Sequence, residues 1–427
     1  MPEPALLDSA VEIADGLRPK FDLFDGLRAV AALLVFVDHS WFRWHPSMCG
    51  FSVCSSSAGV LSGLWTDLVA GFGPLGVSVF YVISAFLLYR PFVAARLAGS
   101  SSDAVGYGIR RLARIFPAYW LALTVVLLFG SEVSDQGGGD LLRLFSLTQA
   151  YSFKGLLYNP IPPSWTICVE LSFYLFLPIW AILVGWLVSK VQRPLRAELI
   201  CLAPLAVAAV IWRWFVVQHP PGSHGFDHVV GFIPLSDKLL LSSLDLFAAG
   251  MALAVLSAHA KLTFFKWLTA GWAWGIAFVG FIGLSWLMAS DGPLGSHWQA
   301  QEVLGGGLRV PIAVLIVVAG LLPRQASKSD VVTRLLGSRL LTGLGVISYG
   351  IYLWHAPVLA WIHSWTGQLT GVAVYTWFCL AATALAFTVL IAQFSWRVLE
   401  RPLIDLAHVR TRSRAFERGS DKAVRVG

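Results

Sequence analysis

From Phe24 onward, long apolar stretches alternate with short polar segments. Taking runs of about 17 to 25 apolar residues as membrane crossings gives ten candidates, near residues 27–44, 67–89, 115–131, 164–189, 197–217, 237–257, 267–289, 309–323, 346–363 and 371–396. The eighth is short for a crossing. No internal repeat is evident. The pattern predicts an all-α polytopic membrane helix bundle of about ten helices, forming one domain over residues 21–405. It is flanked by an N-terminal segment, 1–20, and a polar, basic tail, 406–427.

The polar segments divide by charge. One alternating set holds most of the cations: Arg18 and Lys20; Arg90, Arg96, Arg110, Arg111 and Arg114; Lys190, Arg193 and Arg196; Lys261 and Lys266; Arg324, Lys328, Arg334 and Arg339; and the tail from Arg397 to Arg425. The other set has almost none, Arg143 and Lys154 being the main exceptions. By the positive-inside rule the first set is cytoplasmic, which predicts both termini inside and an even number of spans. The expected location is the cell inner (plasma) membrane, as a multi-pass protein.

Composition agrees with this reading. Of 427 residues, 57% are hydrophobic and only 13% charged, with a mean hydropathy of +0.70; a soluble domain carries about 25% charged residues. The net charge of +7 is topological, with a contribution to inner-leaflet lipid binding, and does not point to nucleic acid. The start, "MPEPALLDSAVEIADGLRPK", lacks the features of a cleaved signal peptide, so the first membrane helix is expected to direct insertion.

Four segments stand apart from the spans. Residues 90–114 are basic and partly amphipathic and are expected along the inner surface. Residues 132–163 and 218–236 read as outer loops, and the tail reads as disordered towards its end. Cys49 and Cys54 fall in the first outward loop, where a small disulfide and two free thiols are both compatible with the spacing. Cys168, Cys201 and Cys379 lie inside spans and read as small apolar residues.

Ionisable groups inside spans are costly and mark candidate chemistry. In "FDGLRAVAALLVFVDHS", Arg28 and His39 are eleven residues apart, about three turns, so both point from one helix face about 16 Å apart along the axis. An extended pantetheine arm has this general length, so a phosphate near Arg28 would leave a thioester within reach of His39. Histidine suits proton removal from a hydroxyl near neutral pH. Asp38 lies about 100° round the helix and is expected to face a neighbouring helix.

"PPSWTICVELSFYLFLP" carries Glu170, with Trp165 and Tyr174 nearby. Asp245 in "LSSLDLFAAGMALA" and His355 in "GVISYGIYLWHAP" are further groups at depth, and Arg213 in "VIWRWF" needs a partner. Taken singly each is explained equally well by a bundle hydrogen bond; together they imply a polar cavity. "GIRRLARIFPAYW" clusters Arg110, Arg111 and Arg114, whose guanidinium forks suit phosphates or, equally, inside-positive anchoring. His219, His224, Asp227 and His228 match no strong metal pattern, and no metal or permanently bound cofactor is expected. No G-x-S-x-G nucleophile elbow occurs.

"FDGLRAVAALLVFVDHS", "GPLGVSVFYVISAFLLYRPF", "RRLARIFPAYW", "SWTICVELSFYLFLP", "LGVISYGIYLWHAPV" and "FSWRVLERPLI" occur in an order that resembles acyltransferase family 3 of integral membrane proteins, from about residue 21 to 405. The resemblance implies a membrane O-acyltransferase that moves an acyl group, commonly acetyl, from cytoplasmic acyl-CoA to a hydroxyl of a sugar, envelope glycan, glycolipid or secreted metabolite. It implies catalytic roles for Arg28, His39 and Glu170, and donor binding by Arg28, Arg110, Arg111 and Arg114. Trp165, Tyr174, Asp245 and His355 are candidates for acceptor binding.

Two departures stand out. Ala85 in "VISAFLL" replaces a frequent Gly, and "VELSF" lacks the second acidic residue often found after the Glu. Some relatives carry a C-terminal hydrolase-like domain; the short sequence after "ERPLI" predicts none here, so a later transfer step would need an envelope-assembly partner. A transporter or flippase with the same polar cavity and no chemistry is the rival reading, and an envelope scaffold is a third.

Overall fold

The computed structural model describes residues 23–44, 48–49, 52–53, 60–100, 103–130, 137–152, 155, 159–218, 238–259, 268–289, 293, 300–322, 331–367, 369 and 372–411. The described chain is a helix bundle. Its helices are α1 (Leu23–Trp44), α2 (Val60–Ala70), α3 (Phe72–Leu97), α4 (Ala104–Phe129), α5 (Gly138–Phe145), α6 (Trp165–Val188) and α7 (Pro194–Gln218). They continue with α8 (Leu244–Ala258), α9 (Ala270–Met288), α10 (Gly306–Leu321), α11 (Val331–Leu336), α12 (Arg339–Val346), α13 (Ser348–Trp365) and α14 (Val374–Ser395). A two-residue antiparallel ribbon pairs Met48–Cys49 with Ser52–Val53. Cys54 and the four groups of the outer loop, His219, His224, Asp227 and His228, lie outside the described residues.

Eight helices among the described residues are long and apolar enough to cross a membrane, and a ninth counts if α12 and α13 form one span bent by 74°. α1 is long enough, at 22 residues, but carries Asp25, Arg28, Asp38 and Arg43. With α1, these segments overlap the ten stretches read from the sequence, with some ends differing by ten residues or more.

Apolar side chains gain little from leaving lipid for the interior of a bundle, so close packing must hold the helices together. α3 and α8 form the centre, with 67% and 61% of their spanning windows buried, against 22% for α9 and for α14. Glycines set the closest approaches. A Cβ at Gly250 on α8 would come within 2.3 Å of the Val82 carbonyl oxygen and 2.8 Å of the Ala85 Cβ. Position 85 tolerates a methyl because the facing residue has none. A Cβ at Gly345 would likewise collide with the Asp25 carbonyl oxygen, so α12 crosses α1 in backbone contact.

The basic segment 90–114 does not form a separate surface element. α3 runs on to Leu97 and α4 begins at Ala104, because the cations have internal work. Arg96 pairs with Glu198 of α7, a carboxylate only 2% exposed, and donates to the Ala181 carbonyl of α6 at 3.1 Å. Tyr89 donates to the same Glu198 at 3.0 Å. A buried carboxylate without a cation is strongly unfavourable, and the extended α3 supplies one.

The segment read as an outer loop, 132–163, is also ordered where it is described. Gln149, fully buried, donates to Tyr119 Oη at 3.2 Å and to Ser164 Oγ at 2.9 Å. Asn159 donates to Ser164 Oγ at 3.0 Å and accepts from the Ile161 amide at 3.0 Å. This knot fixes the entry to α6, the helix that carries Trp165, Glu170 and Tyr174.

Candidate active site

A cavity of about 700 Å3, counting its open mouth, lies between α1, α3, α4, α6 and α13. Its charged walls are Arg28, Arg111, Arg114 and Glu170. Tyr81, Ser84, Thr166, Tyr174, Tyr349 and Tyr352 add to the polar lining.

Each side chain is there for a local reason. Arg111 and Arg114 are three apart on α4 and share a face. The start of that helix is fixed by Asp103, whose carboxylate caps it by accepting from the Gly106 amide at 3.0 Å. Arg110 is drawn the other way: its guanidinium lies 3.8 Å from Asp103, and it does not line the cavity. Arg28 lies 3.5 Å from Asp25, one turn earlier on α1. Glu170 and Tyr174 are four apart on α6, and the Tyr174 hydroxyl donates to Glu170 Oε2 at 3.2 Å. The break between α12 and α13 brings Ser348, the first residue of α13, to the wall, so the positive end of that helix faces the same space. Non-helical backbone at membrane depth is tolerated where it lines a cavity.

Of the charged residues that line the cavity, three are cations and one is an anion, a balance that favours an anionic guest. The three guanidiniums lie within Coulombic reach of one another, with Asp25 beside Arg28, Glu170 within reach of all three and Glu400 within reach of Arg114. Arg111 Nε is buried without a hydrogen-bond partner among the described residues. A polyanion such as a pyrophosphate would relieve this repulsion and satisfy that donor.

His39 stands apart from the cavity wall. Its Nδ1 lies 2.7 Å from Nε2 of His355 on α13, with the rings stacked at 5.0 Å and 16°. His355 is buried and its Nδ1 lies 2.6 Å from the Tyr352 carbonyl oxygen. Tyr352 itself lines the cavity and is anchored through its hydroxyl, 2.7 Å from Thr166 Oγ1 and donating to the Pro163 carbonyl at 3.1 Å. The histidine pair thus backs directly onto the cavity. Asp38 Oδ2 lies 3.7 Å from His39 Nε2. The same carboxylate rests on the first turn of α3, where a Cβ at Gly73 would come within 2.6 Å of it, an arrangement that the helix N-terminus favours.

The remaining sequence candidates lie elsewhere. Asp245 accepts from Arg213 Nη2 at 2.5 Å, and Arg213 Nη1 donates to the Ser242 carbonyl at 2.7 Å. Arg213 has found the partner its depth requires, and Asp245 serves α7 and α8. Trp165, at the first residue of α6, lies under the Lys238 ammonium at 5.1 Å and does not line the cavity. Sequence reasoning missed Tyr349 and Tyr352, although "SYGIYLWH" spaces Tyr349, Tyr352 and His355 at three-residue intervals on one helix face. It also missed Tyr81, which the ring of Phe247 holds at 4.7 Å, backed in turn by Phe173 at 4.1 Å.

A family model described as an acyltransferase domain matches residues 21–393. The chain belongs to that family. Among curated relatives it is similar to the peptidoglycan O-acetyltransferase OatA of Listeria monocytogenes, at 24% identity over 89% of this chain and 55% of that protein. The O-acetyltransferase OatA of Staphylococcus aureus is 23% identical over 89% of this chain and 56% of its own length. Nodulation protein 10 of Rhizobium leguminosarum bv. viciae is 27% identical, with 92% of this chain and 95% of that protein aligned. The chain thus spans about half the length of the O-acetyltransferases it matches and nearly all of the nodulation protein. No solved structure matches.

Proposed function

We propose that the chain is a membrane O-acyltransferase, taking an acyl group, acetyl in the first instance, from cytoplasmic acyl-CoA to a hydroxyl of an envelope glycan or glycolipid. The observation that carries this reading is the cavity of an acyltransferase-family chain gathering Arg28, Arg111 and Arg114 around a buried, unpaired Arg111 Nε. Guanidinium forks match phosphate oxygens, so the nucleotide end of coenzyme A is the natural guest. The relatives named as O-acetyltransferases of peptidoglycan support a carbohydrate acceptor. The alternation of Lys and Arg between segments supports termini on the cytoplasmic side, in the plasma membrane.

In this mechanism His39 Nε2 removes the acceptor hydroxyl proton as the oxygen attacks the thioester carbonyl. The new C–O bond forms, the C–S bond breaks, and the proton on His39 passes to the departing thiolate, so the products are ester and free coenzyme A. Asp38, 3.7 Å from Nε2, stabilises the imidazolium while it exists. Glu170, restrained by Tyr174, orients the acceptor or the donor beside the arginines.

The test is acyl transfer by purified protein in lipid, from labelled acetyl-CoA to a panel of glycan and glycolipid acceptors, with His39→Ala beside the wild type. Label transfer that needs His39 is the expected result. Failure to bind coenzyme A at all would favour a transporter with the same polar cavity.

A further inference from the structure

Resting on that reading of His39 as the base, we infer that His355 is a positioning residue that sets the tautomer of His39 and leaves its Nε2 as the proton acceptor. A carbonyl oxygen only accepts, so the 2.6 Å contact with Tyr352 requires the proton of His355 to sit on Nδ1. In a neutral imidazole the other nitrogen is then a lone pair. His355 is 1% exposed, and among the described residues no carboxylate pairs with it, so a second proton there would be a buried, uncompensated charge. Its Nε2 therefore accepts, and the 2.7 Å contact with His39 Nδ1 is a hydrogen bond donated by His39. His39 carries its proton on Nδ1, and its Nε2 is bare.

The accessibility of the pair fits this division of labour. His355 is enclosed, whereas the His39 side chain retains 37% of its exposure. The groups facing His39 are His355 at Nδ1 and Asp38 at Nε2, the latter at 3.7 Å and beyond hydrogen-bond distance. Nothing described therefore occupies the Nε2 lone pair, while the ring is held on its other side. This is the logic by which a partner on one imidazole nitrogen fixes the chemistry of the other, with an imidazole here in place of a carboxylate. His355 is thus assigned to orienting His39 and not to binding substrate.

The experiment is 15N NMR of histidine-labelled protein in lipid bilayers, with His39→Ala to assign the resonances, together with acyl-transfer kinetics on the same samples. In the wild type, His39 is expected to be protonated on Nδ1 and unprotonated on Nε2. His355→Leu removes the acceptor, so His39 shifts towards the Nε2-protonated form and kcat falls by about 100-fold or more, the scale of lost general-base catalysis, with KM for acetyl-CoA within about threefold. His355→Gln restores an acceptor near the position of Nε2 and is expected to recover both the tautomer and at least a tenth of kcat. A wild-type His39 protonated on Nε2 overturns the inference whatever the variants do, as does an unchanged tautomer in His355→Leu. If the wild type shows the Nδ1-protonated form but transfers no acyl group to any acceptor, the pairing stands and the acyltransferase reading falls.

Discussion

Arg213 Nη2 lies 2.5 Å from Asp245 Oδ2, with the two side chains only 4% and 7% exposed. Ser242 accepts a second bond from the same guanidinium at 2.7 Å, and a Cβ at Gly306 would press within 2.9 Å of its Cδ. The pair joins α7, α8 and the start of α10. Removing one partner of a buried pair costs about 3–5 kcal/mol because the other charge is stranded. Asp245→Ala is expected to lower stability by that amount in detergent-resistant unfolding, and Arg213→Met with Asp245→Leu to recover at least half of it. Activity per folded molecule should stay near wild type, since neither residue touches the cavity.

Arg111 and Arg114 line the cavity and Arg110 does not. A hydrogen bond to a charged group is worth about 1.5–3 kcal/mol, so Arg111→Gln and Arg114→Gln should each raise KM for acetyl-CoA by about 10- to 100-fold. Arg110→Gln should change it by less than about threefold. Equal effects from all three would mean that the cluster acts only as a diffuse positive field.

Glu170 is held by Tyr174 through a 3.2 Å hydrogen bond. Glu170→Gln keeps the size and removes the charge, and is expected to cut kcat by at least about tenfold. Tyr174→Phe leaves the charge in place and removes only the hydrogen bond to it, so it should cost less than Glu170→Gln. Steady-state kinetics in lipid vesicles separates them; a Tyr174→Phe loss larger than that of Glu170→Gln would assign the hydroxyl the chemical role.

Gly250 packs with no room for a methyl group, its Cβ position being 2.3 Å from the Val82 carbonyl oxygen. Gly250→Ala should destabilise the bundle by about 1–3 kcal/mol, measured as a lower unfolding temperature. Ala85→Gly in the same protein should restore part of the loss by freeing the facing wall. No recovery would show that the backbone contact alone is limiting.

The architecture was legible in the sequence because membrane insertion depends on local composition. Apolar runs long enough to cross a bilayer must become helices, since only a helix satisfies its own backbone within a single segment. That rule located all ten segments, including 309–323, which the structure lengthens to Val303–Leu321. The short motifs also identified Arg28, Arg111, Arg114, Glu170 and Tyr174, which converge on one cavity from three helices.

What the sequence alone determined, then, was the set of spans and the polar groups too costly to leave in lipid. Which of those groups meet was decided only by the tertiary structure, because pairing depends on helix rotation and crossing angle, and contacts between helices carry no periodic signal. Asp245 and Arg213, 32 residues apart, neutralise each other; Arg110 is claimed by its own helix cap. His39 meets His355 across 316 residues, a distance over which sequence has no ruler, and the packing of α1 against α13 brings the two rings into contact.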